Sequence, residues 1–418
     1  SKDTLKKWSK LGYIDLAVEV LSLYASESEL PRADLRSLLN ESFKQFTRRV
    51  KKSPTETKEN FIVDHLSLFR LKETDKAIRD RTCDVVQLWH GPTIAFKDLA
   101  MQTVGHLLDY FLAKRNAHLT VLVGTSGDTG SAAIHAVRNS PRIDIIVLYP
   151  LGRVSQVQEL QMVTVMDKNI FVVGTEGTSD DLDVPINNVF NDVHYKRKHK
   201  LTSLNSINVI RILIQTVHFF WSYFRVCPNL NESVGYSIPS GACGHLMAGV
   251  IAQKMGLPIN HMCAATNEND AVSRLLQSGK FSYAPSVHQT SSPAMDIQAA
   301  YNVERLLFYL SMSQTKSFLK STAEVRALME QLTAKGQYEI PKSWMNTLQK
   351  MGIVSERIDQ KTVLATIQNA WTSQGYLLDP HTAVGVAASK RVTALQKCKH
   401  VLCLATAHAA KFTDTVGQ

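Results

Sequence analysis

The 418 residues are 44% apolar and 20% charged, and 47 lysines and arginines against 37 acids leave a formal net charge of +10. That describes a water-soluble globular chain with enough apolar residues for two or three cores. The two densest basic runs, Arg48-Arg49-Val50-Lys51-Lys52 and Lys196-Arg197-Lys198-His199-Lys200, lack the interleaved aromatics of a single-strand binder. No nucleic-acid partner is therefore expected, and the positive excess suits small anionic, phosphorylated molecules instead. Cys83, Cys227, Cys243, Cys263, Cys398 and Cys403 form no CxxC pair, so they read as reduced thiols rather than a disulfide scaffold. No His, Cys, Asp and Glu cluster has metal-ligand spacing, and no metal is expected.

Residues 1–80 read as a mostly helical region, with helical periodicity at Leu11–Tyr24 and, after Pro31, at Leu35–Phe46. A polar linker with Pro54 spans Lys51–Asn60, and apolar character returns at Phe61–Val63 and Leu66–Leu71. Asp84–Trp89 reads as a strand running into the turn His90-Gly91-Pro92, where Gly91 and Pro92 exclude a helix. From Lys97 onward Leu99, Val104, Leu107, Leu108 and Phe111 recur at helical spacing. Lys97 thus stands at a helix start, between Phe96 and Asp98. Desolvation and the positive end of the helix dipole both disfavour its ammonium form, which makes it a candidate Schiff-base nucleophile. The plainer alternative is a snorkelling surface lysine.

Short β-rich runs then alternate with helical patterns: strand Leu119–Val123, helix Ser131–Arg138, strand Ile143–Tyr149, helix Val154–Val163 and strand Asn169–Val173. A second set comprises helix Ile207–Arg225, strand Ser233–Ile238, helix Leu246–Met255, strand His261–Ala265 and helix Asp270–Ser278. That alternation is the signature of parallel βαβ units. The long apolar segment Ile207–Cys227 carries Asn208, Arg211, Gln215, His218 and Arg225, so it reads as a buried helix and not a membrane span. Residues 313–370 read as a helical insertion broken at Pro341, and Val401–Leu404 supplies a final strand. His106, His135 and His218 fall on helical faces as packing residues. Asn267 and Asp296 read as helix caps.

Three junctions carry polar groups suited to anions. Gly124-Thr125-Ser126-Gly127-Asp128-Thr129-Gly130, between strand and helix, puts hydroxyls and N–H groups at a helix N-terminus. By itself it says only anion or tight turn, since it is neither a Walker loop nor a nucleophile elbow. Ser240-Gly241-Ala242-Cys243-Gly244-His245 repeats the arrangement, with backbone amides able to cradle a phosphate. Asn205, Ser206, Asn208 and Arg211 open the apolar helix; Asn208 and Arg211 are three apart and can project from one face. Arg211 needs a partner there, either a dianionic phosphate or a carboxylate elsewhere in the chain.

The segment His90-Gly91-Pro92-Thr93-Ile94-Ala95-Phe96-Lys97-Asp98 resembles the cofactor-lysine segment of the threonine synthase family, and in particular its animal threonine synthase-like 2 branch, over about residues 8–414. The resemblance implies an α/β fold of the fold-type-II pyridoxal 5′-phosphate (PLP) enzymes, tryptophan synthase beta-like, in two lobes. A large PLP-binding lobe would comprise 81–100, 205–312 and 371–418, and a smaller one 101–204. It further implies that Lys97 holds PLP as a Schiff base, that Ser126 and Thr129 take the substrate carboxylate, and that Asp128 faces the ring oxygen. Gly241, Ala242, Cys243, Gly244 and His245 would cup the cofactor phosphate, and Thr406 would meet the pyridine nitrogen. Asn205, Ser206, Asn208 and Arg211 would hold the substrate phosphate. This chain departs from the family pattern at His245, where Asp or Asn is usual, and at Val209, where tryptophan is usual.

The implied activity is a PLP-dependent phospho-lyase, taking O-phosphohomoserine to 2-oxobutyrate, with O-phosphothreonine as a further substrate. A true threonine synthase is the alternative, and a non-catalytic binding protein that kept the fold is the alternative of another class. The expected partner is a small phosphorylated amino acid, with no membrane partner; the oligomeric state is not legible. Family members begin with a short strand-forming segment ahead of the position of Ser1, which reads as a trimmed N-terminus. The expected location is cytoplasmic, with mitochondrial left open for that reason.

Overall fold

The computed structural model describes residues 1–46, 66–72 and 81–417; the basic run at 48–52, the linker at 51–60 and the apolar run at 61–63 lie outside them. In chain order the strands are β1 (Ser67–Leu71), β2 (Thr82–Gln87), β3 (Leu119–Gly124), β4 (Ile143–Pro150), β5 (Ile170–Thr175) and β6 (Leu201–Thr202). There follow β7 (Val234–Pro239), β8 (Ile259–Thr266), β9 (Lys280–Ser282), β10 (Gln337–Glu339), β11 (Ile353–Arg357) and β12 (His400–Ala405). A six-stranded sheet runs β1-β2-β12-β7-β8-β11, and a four-stranded sheet runs β5-β4-β3-β6. Every neighbouring pair in both is parallel except β1 with β2.

Local sequence explains these placements. β7, Val-Gly-Tyr-Ser-Ile-Pro, is buried at every position, as a central strand covered on both faces must be. β1 alternates weakly and is only half-buried, which suits an edge; its Arg70 pairs with Asp84 of β2 at 2.9 Å. The helix Val209–Val226 is buried almost without interruption from Arg211 to Phe224, so its apolar run is an interior helix. Among the described residues no helix is long and apolar enough to cross a membrane. The N-terminal helices Tyr13–Leu21 and Arg32–Phe43 pack on this helix and on Lys97–Lys114, closing the core behind the sheet.

The strands and helices expected between 119 and 278 are all present within a few residues of their expected bounds. Two regions differ. Residues 1–80, read as mostly helical, also supply β1, and residues 313–370, read as a helical insertion, supply β10 and β11. β11 pairs with β8 and forms an edge of the six-stranded sheet. Its five residues, Ile-Val-Ser-Glu-Arg, lie between the amphipathic helices Lys342–Lys350 and Gln360–Gln374, whose periodicity masks so short a strand. The Lys196–Lys200 run ends a short helix and is wholly exposed.

The carboxyl ends of β2, β3, β7 and β12 each run into one of the loops singled out above. In parallel sheets that is where ligand sites form. The Lys97 helix itself is clamped: a Cβ built on Gly105 would lie 2.3 Å from the carbonyl oxygen of Ala136 on the Asp128–Val137 helix. Gly105→Ala is therefore expected to lower stability by about 1–3 kcal/mol, read as a reduced urea midpoint with an unchanged slope.

Candidate active site

The turn before Lys97 is held in a conformation few residues choose. Ile94 has φ of 54°, in the left-handed region that a β-branched side chain resists. What holds it is Asp98: its carboxylate accepts the Thr93 N–H at 2.8 Å and the Thr93 hydroxyl at 2.6 Å. Gly91 is required because a Cβ there would meet the Asp98 Cβ at 2.3 Å. The Phe96 N–H donates to the Thr406 carbonyl at 2.7 Å and the His408 N–H to the Ile94 carbonyl at 3.0 Å, tying the turn to the end of β12. Burial pushes the Asp98 carboxyl up to about 6, partly offset by Thr93 and Lys411.

Lys97 opens the helix and points into a cavity. Burial pulls its ammonium down to about 8; Asp128 opposes that, while Arg211 and Lys411 add to it. The Lys97 Nζ lies 3.7 Å from one Asp128 oxygen, whereas Lys411 Nζ lies 2.8 Å from the other. Lys411 is fully buried and also donates to the Thr93 carbonyl at 3.0 Å, and Gln158 Nε2 donates to Asp128 at 2.9 Å. Burial alone would raise the Asp128 carboxyl, but Lys411, Lys97 and His381 outweigh it and hold it well below the usual range.

The other loops converge on the same cavity. It is lined by Ser126, Asp128 and Thr129 from the loop after β3, by Gly241, Ala242, Cys243, Gly244 and His245 after β7, and by Thr406 after β12. Asn205, Ser206 and Arg211 complete it, with His381, Tyr301 and Asp183. Thr125 accepts the N–H groups of Gly127 at 3.0 Å and Gly130 at 2.9 Å, shaping the turn that presents Ser126 and Thr129. Cys243 takes φ of 61° so that the chain can enter its helix directly from the cup. A Cβ on Gly241 would meet Ile297 and one on Gly244 would meet Ser206, both at 3.2 Å.

Asn208 does not line the cavity. It caps the helix, accepting the Ile210 N–H at 3.1 Å and donating to the Ser203 carbonyl at 3.1 Å. Three-residue spacing fails here because an N-cap residue lies outside the helical turn and its side chain folds back. Arg211, by contrast, is buried and lines the cavity, and none of the ion pairs among the described residues includes it. Its Nη1 donates to the Leu204 carbonyl at 2.7 Å, its Nε has no partner, and burial lowers it to about 10. Asp183 faces the same cavity with its carboxyl pushed up to about 7, by burial first and Asp180 second.

Asn267 caps no helix, and Asp296 ends only the 3-10 turn Pro293–Met295; the Asn267 amide donates to Asp296 at 2.7 Å, and Asp296 accepts the Thr290 N–H at 2.8 Å, fastening the loop beside the cavity. His381, in the stretch Leu378-Asp379-Pro380-His381-Thr382, gives no sign of a site residue in the sequence. Its Nε2 accepts the Ala294 N–H at 3.1 Å, so its Nδ1 is the protonated nitrogen that meets Asp379 at 3.0 Å. Lys411 carried no signal beyond a lysine among small and apolar residues, Ala409-Ala410-Lys411-Phe412. Away from the cavity, the fold brings Cys227, Glu232 and His400 within 4.8 Å of one another, which sequence spacing could not reveal. Glu232 there already bonds Lys399 and His400.

Comparison with known proteins adds family information to this geometry. A family profile described as "Threonine synthase N terminus" matches residues 1–43, and one described as "Threonine synthase, C-terminal" matches 382–418. The chain is 40% identical to threonine synthase-like 2 of Rattus norvegicus, over 99% of this chain and 80% of that protein. The crystal structure of threonine synthase from yeast superposes with a TM-score of 0.88 at 36% identity, covering 100% of this chain and 81% of that one. PLP-bound threonine synthase from Brucella melitensis superposes with a TM-score of 0.84 at 34% identity, covering 100% and 82%.

The geometry makes Lys411 the group that keeps Asp128 from claiming Lys97 as its counter-ion. Reductive methylation of Lys97 by formaldehyde, followed by mass spectrometry across pH, is expected to run with a midpoint near 8. In Lys411→Met both the lost cation and the released Asp128 raise the Lys97 pKa, so the midpoint moves up by about one unit. An unchanged midpoint would contradict this role.

Proposed function

Because the chain belongs to the threonine synthase family, we propose that it eliminates phosphate from a phosphorylated hydroxy-amino acid, converting O-phosphohomoserine to 2-oxobutyrate and ammonia. Its fold is that of the fold-type-II PLP enzymes, and PLP is its cofactor. The residues present fit that group. A buried lysine of lowered basicity faces a glycine-floored cup of backbone amides, where a Cβ on either glycine would press on a neighbour at 3.2 Å. Lys97 would hold the aldehyde carbon, Gly241 to His245 the phosphate, Asp128 the ring oxygen side and Thr406 the ring nitrogen. Bound there, PLP supplies an electron sink for a carbanion at the substrate Cα.

The observation that carries the substrate class is Arg211. A guanidinium buried without a carboxylate, and with an unpartnered Nε, is costly unless its ligand brings the charge. A phosphate dianion matches its fork. Asn205 and Ser206 flank it, and Ser126 and Thr129 stand across the cavity for the carboxylate. Lys97, whose lowered basicity leaves part of it as the amine near neutral pH, is placed to take and return protons at Cα and Cβ. Thr406 offers a hydroxyl rather than a carboxylate to the ring, which favours elimination and replacement over transamination.

Elimination is put first because it is what the resemblance of the Lys97 segment to the threonine synthase-like 2 branch implies. Likeness to the yeast threonine synthase supports a second reading, in which water adds at Cβ and the product is threonine. Both share the loss of phosphate. Incubation with PLP and O-phosphohomoserine is expected to release phosphate matched by 2-oxobutyrate, and to release none in Lys97→Ala. Phosphate matched by threonine would establish the second reading, and no Lys97-dependent phosphate would favour a binding protein. Arg211→Gln is expected to lower kcat/KM by roughly a hundredfold, the scale of a lost charge-assisted pair.

A further inference from the structure

The last residue of the cup after β7, His245, meets a second histidine on a neighbouring helix, and the reaction above uses neither side chain. His245 is the second residue of the Gly244–Lys254 helix, lines the Lys97 cavity and is 5% exposed. Its ring stacks on Phe96, with 4.6 Å between centroids and 14° between planes. Its Nε2 lies 2.6 Å from Nε2 of His218, which comes from the middle of the Val209–Val226 helix and is fully buried. The Nδ1 atoms of both rings are buried and have no partner.

Two neutral imidazoles joined through their Nε2 atoms share a fixed number of protons. One ring donates an Nε2–H, and the other accepts on a bare Nε2, so it must carry its own proton on Nδ1. Burial lowers His218 to about 3 and His245 well below its usual value, so the pair is neutral. It therefore presents one Nδ1–H and one bare Nδ1, and either ring can take either part. A buried N–H without an acceptor costs more than a carbonyl-like lone pair without a donor. The arrangement that prevails is the one whose Nδ1–H finds an acceptor. Neither Nδ1 has an acceptor within the protein, but only His245 lines the cavity where a ligand can bring one; His218 packs against Phe219 with 5.2 Å between ring centroids. His245 stands in the cup.

We infer that His245 donates its Nδ1–H to the phosphate monoester of the cofactor, and that His218 is the positioning residue that selects this tautomer by donating its Nε2–H to His245. The inference rests on the reading of the cup as the PLP phosphate site. It gives the turn one side-chain donor in addition to its backbone amides. The stack on Phe96 keeps the ring flat against the residue next to Lys97, so the phosphate contact and the lysine are registered by one rigid element.

The test compares PLP with pyridoxal, which has the same aldehyde and ring but no phosphate. Equilibrium dialysis of the full chain, freed of cofactor, is expected to show His245→Leu losing about tenfold in PLP affinity with pyridoxal affinity unchanged. His245→Asn, whose amide nitrogen falls near the position of Nδ1, is expected to recover most of the loss. Nitrogen-15 NMR of histidine-labelled protein with PLP bound is expected to show His245 protonated on Nδ1 and bare on Nε2, with His218 the reverse at Nε2. Equal losses for PLP and pyridoxal in His245→Leu, or a His245 proton on Nε2, would overturn the inference while leaving the PLP site intact. Failure of the unaltered chain to bind PLP would overturn the site reading and this inference together.

Discussion

The site depends on a buried carboxylate shared unequally between two lysines. Asp128 sits at the start of a helix, fully enclosed, within reach of two lysines. Lys411 takes it at 2.8 Å; Lys97 remains at 3.7 Å. A buried carboxylate must be balanced, and the cost of leaving one unbalanced is several kcal/mol, on the order of 3–5. With Lys411 in place the balance is met without Lys97, whose amine is then subject mainly to desolvation. Without Lys411 the Lys97–Asp128 pair would stand unopposed and would hold the amine more firmly as a cation. Lys411 also bonds the Thr93 carbonyl, so the charge arrangement and the strained turn at Ile94 are held by one side chain.

Charge is distributed unevenly around the rest of the cavity, and the unevenness is chemical. Arg211 lines the cavity with no carboxylate paired to it, while Asp183, elsewhere in the lining, is close to half-protonated at neutral pH. An anion entering this space meets a guanidinium that has nothing else to bind and an acid that can surrender its charge. The hydroxyls and amides of the loops after β3 and β7 supply the neutral donors. Such a cavity is unsatisfied by design of its polar groups, and a doubly charged ligand is what completes it.

How much of this could be read beforehand depends on the range of each interaction. The Lys97 turn was legible because its causes are local: Gly91, Pro92 and the helical repeat after Lys97 lie within a few residues. The cups after β3 and β7 were legible for the same reason, as glycine-rich junctions between strand and helix. Asn208 was misassigned because spacing treats every residue as if it were inside the helix, and the cap is not. Lys411 and His218 were invisible as site residues because each acquires its meaning from a partner on another element: Asp128 and His245. A buried lysine and a buried histidine look alike in sequence whether they pack or titrate. β11 escaped notice because five residues carry too little pattern to compete with two flanking helices.

The placement of β12 has a consequence for how the molecule is made. It follows every other described strand in the chain, yet it lies between β2 and β7 in the middle of the large sheet. As the chain emerges during synthesis, β7, β8 and β11 can associate early, but β2 has no neighbour on its inner side until β12 arrives. The cofactor cup would be in place while the Lys97 turn still lacked the backbone bonds from Thr406 and His408. For that interval two open sheet edges face each other across an unfilled slot, the kind of exposed pairing surface that invites wrong partners. The centre of the sheet is thus its latest arrival, and the Lys97 turn gains its backbone bonds to the end of β12 only once that strand is in place.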